Sequence, residues 1–427
     1  MLNTKDVCYC KEGGVLIKTS IDDKIKKILF SEGIKMANSP YTPGAGSMPN
    51  YLSGRDKTIQ DAAESLQVLS SFTKTPQSII YYGLRGVGKT VLLNKVEDMA
   101  MEKDILCQYI EVSEIRGFKP DFVDTINDFV TQLSFLEKIK DTGNKIMRLL
   151  SRFNASWSPT DNTFSLTING HIPDASLPPN LSFSLTDLLV ELGNVAKKHN
   201  SAVCFLIDEM QYLSDLELEA LITAIHRCNQ KGLPVMLFGA GLPKILATVS
   251  KIKTYSERLF QFVQIDSLSA EESRDALIQP AKTQGVTYQE SAIEFIIHAT
   301  QGYPYFLQAY GDTVWTCMAN DSQITLEDAQ AAFDKFTYDL DHGFFQSRFD
   351  RATNGEKNFM FAMAQCDGSP TLISDIARVL HKNQDSISPV RANLINKGFI
   401  YATGYGELDF TVPQFANFLL RKYKTTN

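Results

Sequence analysis

The feature that most constrains this chain is a glycine-rich loop between an apolar run of strand length and a helical pattern. It follows the run Ser78 to Tyr82 and reads Gly83-Leu84-Arg85-Gly86-Val87-Gly88-Lys89-Thr90, with Val91 next. This is the spacing G-x-x-x-x-G-K-[ST], in which glycines let backbone N–H groups surround a phosphate chain. The helix that begins near Lys89 adds the positive end of its dipole. The segment therefore predicts a nucleoside triphosphate site, with Lys89 at the β- and γ-phosphates and Thr90 on Mg²⁺.

A second apolar run ends in two acidic residues. Ala202 to Ile207 is continuously apolar, as expected for a parallel strand buried on both faces, and Asp208 and Glu209 follow it. Asp208 is placed to hold Mg²⁺, and Glu209 is placed to orient and polarise an attacking water. Together with the loop about a hundred residues upstream, this pattern predicts one phosphate and magnesium site.

Further strand-sized runs alternate with helical patterns along the same region. They are residues 105–112, 235–238 and 262–265. Alternation of this kind predicts a parallel sheet with helices on both faces, an α/β fold of the P-loop NTPase type. Ligands of such sheets bind at the carboxyl ends of the strands, where the loop and the acidic pair both lie.

Composition is that of an ordinary globular chain, with 427 residues, 44% hydrophobic and 21% charged. No apolar run is long enough to predict a membrane span. The net charge of −7 argues against a surface that is basic throughout. The seven cysteines are scattered and odd in number, which predicts reduced thiols and a cytoplasmic location. Cys8 and Cys10 have no second pair at metal-binding spacing.

The N-terminal part, residues 1–50, is predicted to be an extension or linker. Residues 37–50 are rich in Pro, Gly and Ser, and the stretch before them lacks the features of a signal peptide. Two interpretations remain open. Either the natural protein starts at Met36, or Asp22 to Phe30 forms an extra helix docked on the core.

The region from Tyr51 to about Tyr310 resembles the AAA+ ATPases, in particular the branch similar to the origin-recognition initiator proteins. Gly54-Arg55 is similar to the box that precedes the first helix of that family. The loop at 83–90 is similar to its phosphate loop (Walker A), and Ile207-Asp208-Glu209 to its Walker B site. The resemblance implies an ATP hydrolase of the AAA+ class with ATP and Mg²⁺ as cofactors.

The same resemblance implies roles for three further residues. Gly54 and Arg55 would bracket the adenine. Arg258 would act as an arginine finger that completes the site of a neighbouring subunit, which implies a homo-oligomer. Separately, the motif Gly302-x-Pro304 is similar to one in signal-transducing P-loop ATPases, which implies that Pro304 faces the nucleotide.

The predicted core, residues 51–265, is followed by a helical lid at 266–344, which opens with the capping box Ser269 to Glu272. Two departures from the family favour slow hydrolysis. The expected polar residue after the strand at 235–238 is replaced by Gly239-Ala240-Gly241, and no sensor arginine lies near Gly302–Gln308. A stretch at 141–185 is predicted to be an insertion on the core.

The C-terminal unit, residues 345–427, resembles a winged helix. Three helical patterns precede a hairpin pattern around Gly404–Gly406, and Ser388 to Lys397 is the predicted recognition helix, with Ser388 as its N-cap and Gly398 as its C-cap. From residue 346 onward ten Lys or Arg stand against seven Asp or Glu, a net charge of +3. This predicts contact of residues 386–424 with double-stranded DNA. The alternative is a slow nucleotide-gated signalling switch whose winged helix contacts protein.

Overall fold

The computed structural model describes most of the chain. The described residues are 7–12, 15–20, 38–72, 75–113, single positions between 118 and 132, 181–319 and 322–426. The predicted helix at 22–30 and the stretch 141–180 of the predicted insertion lie outside them. Near the N-terminus, β1 (Val7–Glu12) and β2 (Val15–Ser20) pair as an antiparallel hairpin.

Five parallel strands form the central sheet, namely β3 (Ser78–Tyr82), β4 (Leu106–Glu111), β5 (Val203–Asp208), β6 (Val235–Gly241) and β7 (Phe260–Gln264). Their spatial order is β4-β5-β6-β3-β7. Every residue of β5 and β6 is buried, as expected for strands covered on both faces. Tyr82 pairs with Gly241 and Gln264, so the loop after β3 begins at the carboxyl edge of the sheet. The predicted α/β fold with a parallel sheet is confirmed.

Helices pack on both faces of this sheet. They are α1 (Asp56–Leu69), α2 (Lys89–Met101), α3 (Leu181–Lys198), α4 (Asp215–Gln230), α5 (Lys244–Ile252) and the short α6 (Ser256–Leu259). Successive side chains of a strand point to opposite faces. Leu206 accordingly lies in one apolar cluster, with Leu92 of α2, and Phe205 lies in the other, with Ile225 of α4.

A helical lid follows the sheet. It comprises α7 (Ala270–Thr283), β8 (Thr287–Tyr288), α8 (Glu290–Thr300), α9 (Pro304–Cys317), β9 (Gln323–Ile324) and α10 (Leu326–Asp339). The predicted capping box is present at the start of α7. Glu272 N–H donates to Ser269 Oγ over 3.2 Å, and Ser269 N–H donates to a carboxylate oxygen of Glu272 over 2.8 Å.

Residues 38–50, which we call the N-terminal strap, pack between the lid and α2 instead of forming a free linker. The Tyr41 hydroxyl donates to the Leu277 carbonyl over 2.6 Å, and its ring is buried. A Cβ at Gly311 would lie 2.6 Å from that ring, so only glycine leaves room for it. Asn94 Nδ2 of α2 donates to the Gly46 carbonyl over 3.2 Å. The strap is therefore attached to the lid at Tyr41 and to α2 at Gly46 by specific contacts.

The C-terminal unit begins after a π-helical turn (Leu340–Phe345). It contains α11 (Gln346–Phe349), α12 (Asn354–Ala364), β10 (Thr371–Leu372), α13 (Ile373–Val379), α14 (Gln384–Asn396), β11 (Ile400–Gly404), β12 (Glu407–Phe410) and α15 (Phe415–Thr426). The three strands pair antiparallel in the order β10-β12-β11. The order of three helices and a hairpin agrees with the sequence prediction.

The predicted start of the third of these helices was wrong. Helix α14 begins at Gln384, and its N-cap is Asn383, whose side chain accepts from Ser386 N–H over 2.9 Å. Ser388 and Pro389 lie inside the helix. Pro389 cannot donate to the Asp385 carbonyl one turn back, whereas the first turn before it is capped by Asn383. The predicted end is confirmed, because Gly398 adopts φ +69° just after the last turn.

Among the described residues, no helix is both long enough and apolar enough to cross a membrane. The five cysteines whose side chains the structure describes are free thiols, namely Cys107, Cys204, Cys228, Cys317 and Cys366.

Candidate functional site

The loop after β3 wraps around the side chain of Lys89. Lys89 Nζ donates to the Gly83 carbonyl over 3.0 Å and to the Leu84 carbonyl over 2.7 Å, so the ammonium group is held inside the loop. Gly86 and Gly88 adopt φ +78° and +97°, which other residues rarely adopt. The sequence requirement for glycine at these positions thus has a direct conformational cause.

The hydroxyl of a lid tyrosine lies against the phosphate loop. Tyr303 lies in the predicted motif Gly302-x-Pro304, and a Cβ at Gly86 would come within 2.7 Å of its hydroxyl oxygen. That hydroxyl is buried and makes no hydrogen bond to the described residues. Gly302 itself has φ +67°, and a Cβ there would lie 2.2 Å from the Leu268 carbonyl oxygen. The motif therefore closes the lid against the phosphate loop.

Burial alters the protonation of Lys89. Its side chain is 8% exposed. Burial lowers the pKa of Lys89 to about 8, although the carboxylates of Glu209 and Asp208 favour the charged form. An anion placed in the loop would favour the ammonium further.

We expect ATP affinity to fall as the pH rises above about 8, the pKa of Lys89 in the free protein. Phosphates stabilise the ammonium form, so binding above that pH takes up a proton. The dissociation constant then rises by as much as about tenfold per pH unit. The phosphate's own ionisation, near pH ~6, is already complete in this range. Titration with a nonhydrolysable ATP analogue checks this, and a dissociation constant that stays flat with pH contradicts it.

Asp208, at the end of β5, is the centre of an oxygen cluster. Thr90 Oγ1 and the Tyr109 hydroxyl both donate to Asp208 Oδ2, over 2.6 and 2.9 Å. Burial and the neighbouring Asp208 carboxylate raise the pKa of Tyr109, so this phenol stays a donor. A carboxylate beside a threonine hydroxyl is the hard oxygen donor set that suits Mg²⁺ bound with nucleotide phosphates. The two residues therefore fit the predicted metal.

Glu209 is held in an unusual backbone conformation by the fold around it. Its φ is +54°, and its carboxylate accepts a hydrogen bond from Gln211 Nε2. Gln211 Oε1 in turn accepts from Leu242 N–H over 2.9 Å. A Cβ at Gly241 would lie 3.2 Å from that same oxygen. Gln211 thus occupies the space beside β6 and links this strand to Glu209.

A cavity of about 330 Å³ opens at this edge of the sheet. This is the size range of small-molecule sites, about 300–1,000 Å³. Most of the predicted site residues line it, namely Arg55, Arg85, Gly86, Val87, Gly88, Lys89, Thr90, Val91, Glu209 and Pro304. The predicted residues Gly54, Gly83, Asp208 and Arg258 do not line it.

Arg55 supports the phosphate loop through hydrogen bonds to backbone carbonyls. Its guanidinium donates to the carbonyls of Gly54, Val87 and Asp266, at 3.0, 3.2 and 2.6 Å. The residue is 8% exposed and connects α1, the phosphate loop and the end of β7. Gly54 adopts φ +65°, and a Cβ there would contact the Glu272 carboxylate. The direct role of this pair at an adenine stays a prediction.

Arg258 lies apart from the cavity of its own chain. It is exposed on α6, and its backbone carbonyl accepts from Gln77 Nε2 over 2.8 Å. Its side chain makes no hydrogen bond or ion pair with the described residues. A role toward a neighbouring subunit stays a prediction.

Sequence reasoning missed two parts of the cavity wall. One is the N-terminal strap, which lines the cavity from Thr42 to Pro49 and was expected to be a linker. The other is Arg348 of α11, whose guanidinium lies 4.2 Å from the centre of the Phe344 ring and has no hydrogen-bond partner in the described part of the chain. Neither carries a motif, because both reach the site only through tertiary packing.

Comparison with known proteins agrees with this geometry. Residues 73–245 match the family described as an AAA domain, and residues 342–419 match a domain of unknown function (DUF8462). No curated protein matches the chain.

Solved structures give the class of the fold. The Walker-type ATPase of Pyrococcus abyssi superposes with a TM-score of 0.55 at 15% identity, over 89% of this chain and 98% of that chain. The Orc1 protein of Aeropyrum pernix, solved in complex with DNA, gives 0.45 at 15% identity, over 88% of this chain and 95% of that chain, which is too low to support an inference. The chain thus has the P-loop fold of the AAA+ ATPases. Its predicted place in the initiator-type branch stays a prediction.

Proposed function

We propose that the protein binds Mg-ATP in the 330 Å³ cavity and hydrolyses it slowly. The observation that carries this is the convergence of Lys89, Thr90 and Glu209 on one cavity, with Asp208 bonded to Thr90 behind it. Lys89 would bind the β- and γ-phosphates, and Glu209 would orient and polarise the attacking water. Mg²⁺, held by Thr90 and Asp208, would supply charge neutralisation at the phosphates.

Slow turnover is supported by the surroundings of Glu209. Gln211 Nε2 donates to one oxygen of its carboxylate, which leaves the other oxygen to accept from water and restricts how the carboxylate turns toward it. The end of β6 offers no polar side chain, because Gly239, Ala240 and Gly241 occupy it. Among the side chains at the ends of β5 and β6, only Glu209 is therefore placed to polarise the water.

We propose further that the nucleotide state is transmitted to the C-terminal unit. Arg85 of the phosphate loop packs against this unit, where a Cβ at Gly398 would lie 3.2 Å from its Nε. Arg348 lines the nucleotide cavity and is on α11, at the start of the same unit. A phosphate that attracts either guanidinium would change its contacts with the C-terminal unit.

For the C-terminal unit we propose the role of a winged helix on duplex DNA. Helix α14 is exposed along most of its length, with only Ile387 and Leu394 buried. Tyr405, at the tip of the β11–β12 hairpin, is fully exposed. The net charge of +3 from residue 346 onward supports contact with phosphates.

Contact with a protein partner is the second candidate, and one observation favours it. Three basic side chains counted toward a DNA surface are already engaged within the chain. Lys397 pairs with Glu356, Arg421 pairs with Asp341, and Lys422 Nζ donates to Gln346. These contacts leave less positive charge for phosphates than the sequence indicates.

Phosphate release from ATP, measured with and without duplex DNA, tests the proposal. We expect slow release that rises with DNA, because the two parts of the chain are in contact through Arg85. Retention on DNA at low salt should fall steeply as salt rises, since each phosphate contact releases counterions. Turnover without any response to DNA, and no retention at low salt, would favour the nucleotide-gated switch with a protein partner. The absence of ATP binding would contradict both.

A further inference from the structure

A second cavity lies between the phosphate loop and the C-terminal unit. Its volume is about 390 Å³. Four basic residues line it, namely Arg85, Arg348, Arg351 and Lys397, and no Asp or Glu of the described residues does. Arg351 and Lys397 belong to this cavity alone, whereas Arg85 and Arg348 line the nucleotide cavity as well.

The positive charge in this cavity is only partly compensated. Lys397 Nζ is 2.8 Å from a Glu356 carboxylate oxygen, so its charge is paired. Arg85 donates to the uncharged Tyr212 hydroxyl over 2.9 Å. The side chains of Arg348 and Arg351 make no hydrogen bond or ion pair within the described ranges. Three guanidinium groups thus line the cavity, and none of them is paired with a carboxylate of the described residues.

Mutual repulsion among these groups contributes to a lowered pKa of Arg348. Burial is the main cause that lowers the pKa of Arg348 to about 10, and the positive charges of Arg85 and Arg351 act in the same direction, whereas Tyr303 and Tyr305 oppose them. An anion between the three groups would remove this repulsion, and guanidinium groups bind phosphate oxygens in a bidentate manner.

We propose that this cavity is a second ligand site, distinct from the ATP site, for a small molecule that carries at least two phosphate groups. Arg85, Arg348 and Arg351 would bind the phosphates. Phe399 and Phe415, both buried in the wall, give one side of the cavity an apolar surface. Its volume lies in the range of small-molecule sites, about 300–1,000 Å³.

The test is a calorimetric titration of the full chain with inorganic pyrophosphate, after the ATP site has been saturated with a nonhydrolysable analogue at excess free Mg²⁺. We expect saturable binding of pyrophosphate. Arg351→Gln should weaken it about tenfold or more, because a charge-assisted contact to phosphate is lost. The affinity for the ATP analogue should stay within about twofold, because Arg351 does not line the nucleotide cavity.

Arg378→Gln is the matched control. Arg378 is an exposed arginine of the same unit that pairs with Asp375 and lines neither cavity. The proposal is overturned if saturating analogue abolishes pyrophosphate binding, or if Arg351→Gln binds pyrophosphate as the unchanged protein does. The analogue titration tests the ATP site by itself. If the analogue does not bind, the pyrophosphate titration is done on the free protein, and the effect of Arg351→Gln decides.

Discussion

Replacing Lys89 with alanine is expected to abolish ATP binding. The ammonium group is held inside the phosphate loop, where the carbonyls of Gly83 and Leu84 fix it. Each hydrogen bond from a charged group contributes about 1.5–3 kcal/mol, and Lys89 would make two to the β- and γ-phosphates. The expected loss in affinity is therefore at least about a hundredfold. Equilibrium titration with a fluorescent ATP analogue measures it.

Two controls accompany this variant. Lys57→Ala removes an exposed lysine of α1 that does not line the cavity, and it should leave affinity unchanged. Lys89→Met keeps most of the buried stem and should lose affinity as Lys89→Ala does, with less risk to folding. An affinity within about threefold of the unchanged protein in both Lys89 variants would show that this loop does not bind the triphosphate.

The Glu209→Gln protein is expected to bind ATP without hydrolysing it. The amide keeps the size of the side chain but cannot accept the proton of the attacking water. Loss of a general base lowers rates by about 10²–10⁴-fold. Binding should persist, because Lys89 and Thr90 are untouched. Phosphate release and analogue titration, made on the same preparation, separate the two effects.

Glu102→Gln serves as the control for that experiment. Glu102 lies just after α2, is exposed and is remote from the cavity, so turnover should not change. Equal turnover in Glu209→Gln and the unchanged protein would remove Glu209 from the mechanism. Turnover that is lost together with ATP binding would instead indicate that the substitution disturbs the loop, because Glu209 has φ +54° and bonds to Gln211.

Local patterns were sufficient to predict the sheet and the phosphate loop. The run at 78–82 is β3, the apolar run before Asp208 is β5, and the glycines at 86 and 88 have the positive φ that the loop requires. Each of these features depends on residues that are close together in sequence. The periodicity of the strands and the spacing of the glycines can therefore be recognised in the sequence itself.

The rest of the cavity wall depends on long-range packing. Thr42 N–H donates to Gln308 Oε1 across 266 residues of sequence, and Arg348 reaches the cavity from the start of the C-terminal unit. Proline, glycine and serine in residues 38–50 are typical of linkers, and nothing local distinguishes a docked segment from a free one. The helix α14 was misplaced at its start because Pro389 is a common first residue of helices and here lies inside one.

The N-terminal strap has a consequence for the lifetime of the nucleotide that we propose to bind here. It forms one wall of the cavity and is fastened to the lid through Tyr41 and to α2 through Gly46. Exchange of the proposed nucleotide through this wall would require both attachments to be released together with the lid, a collective opening that occurs on a scale of microseconds or slower. The length of time that the protein spends in one nucleotide state would then depend on these two attachments as well as on the chemistry at Glu209.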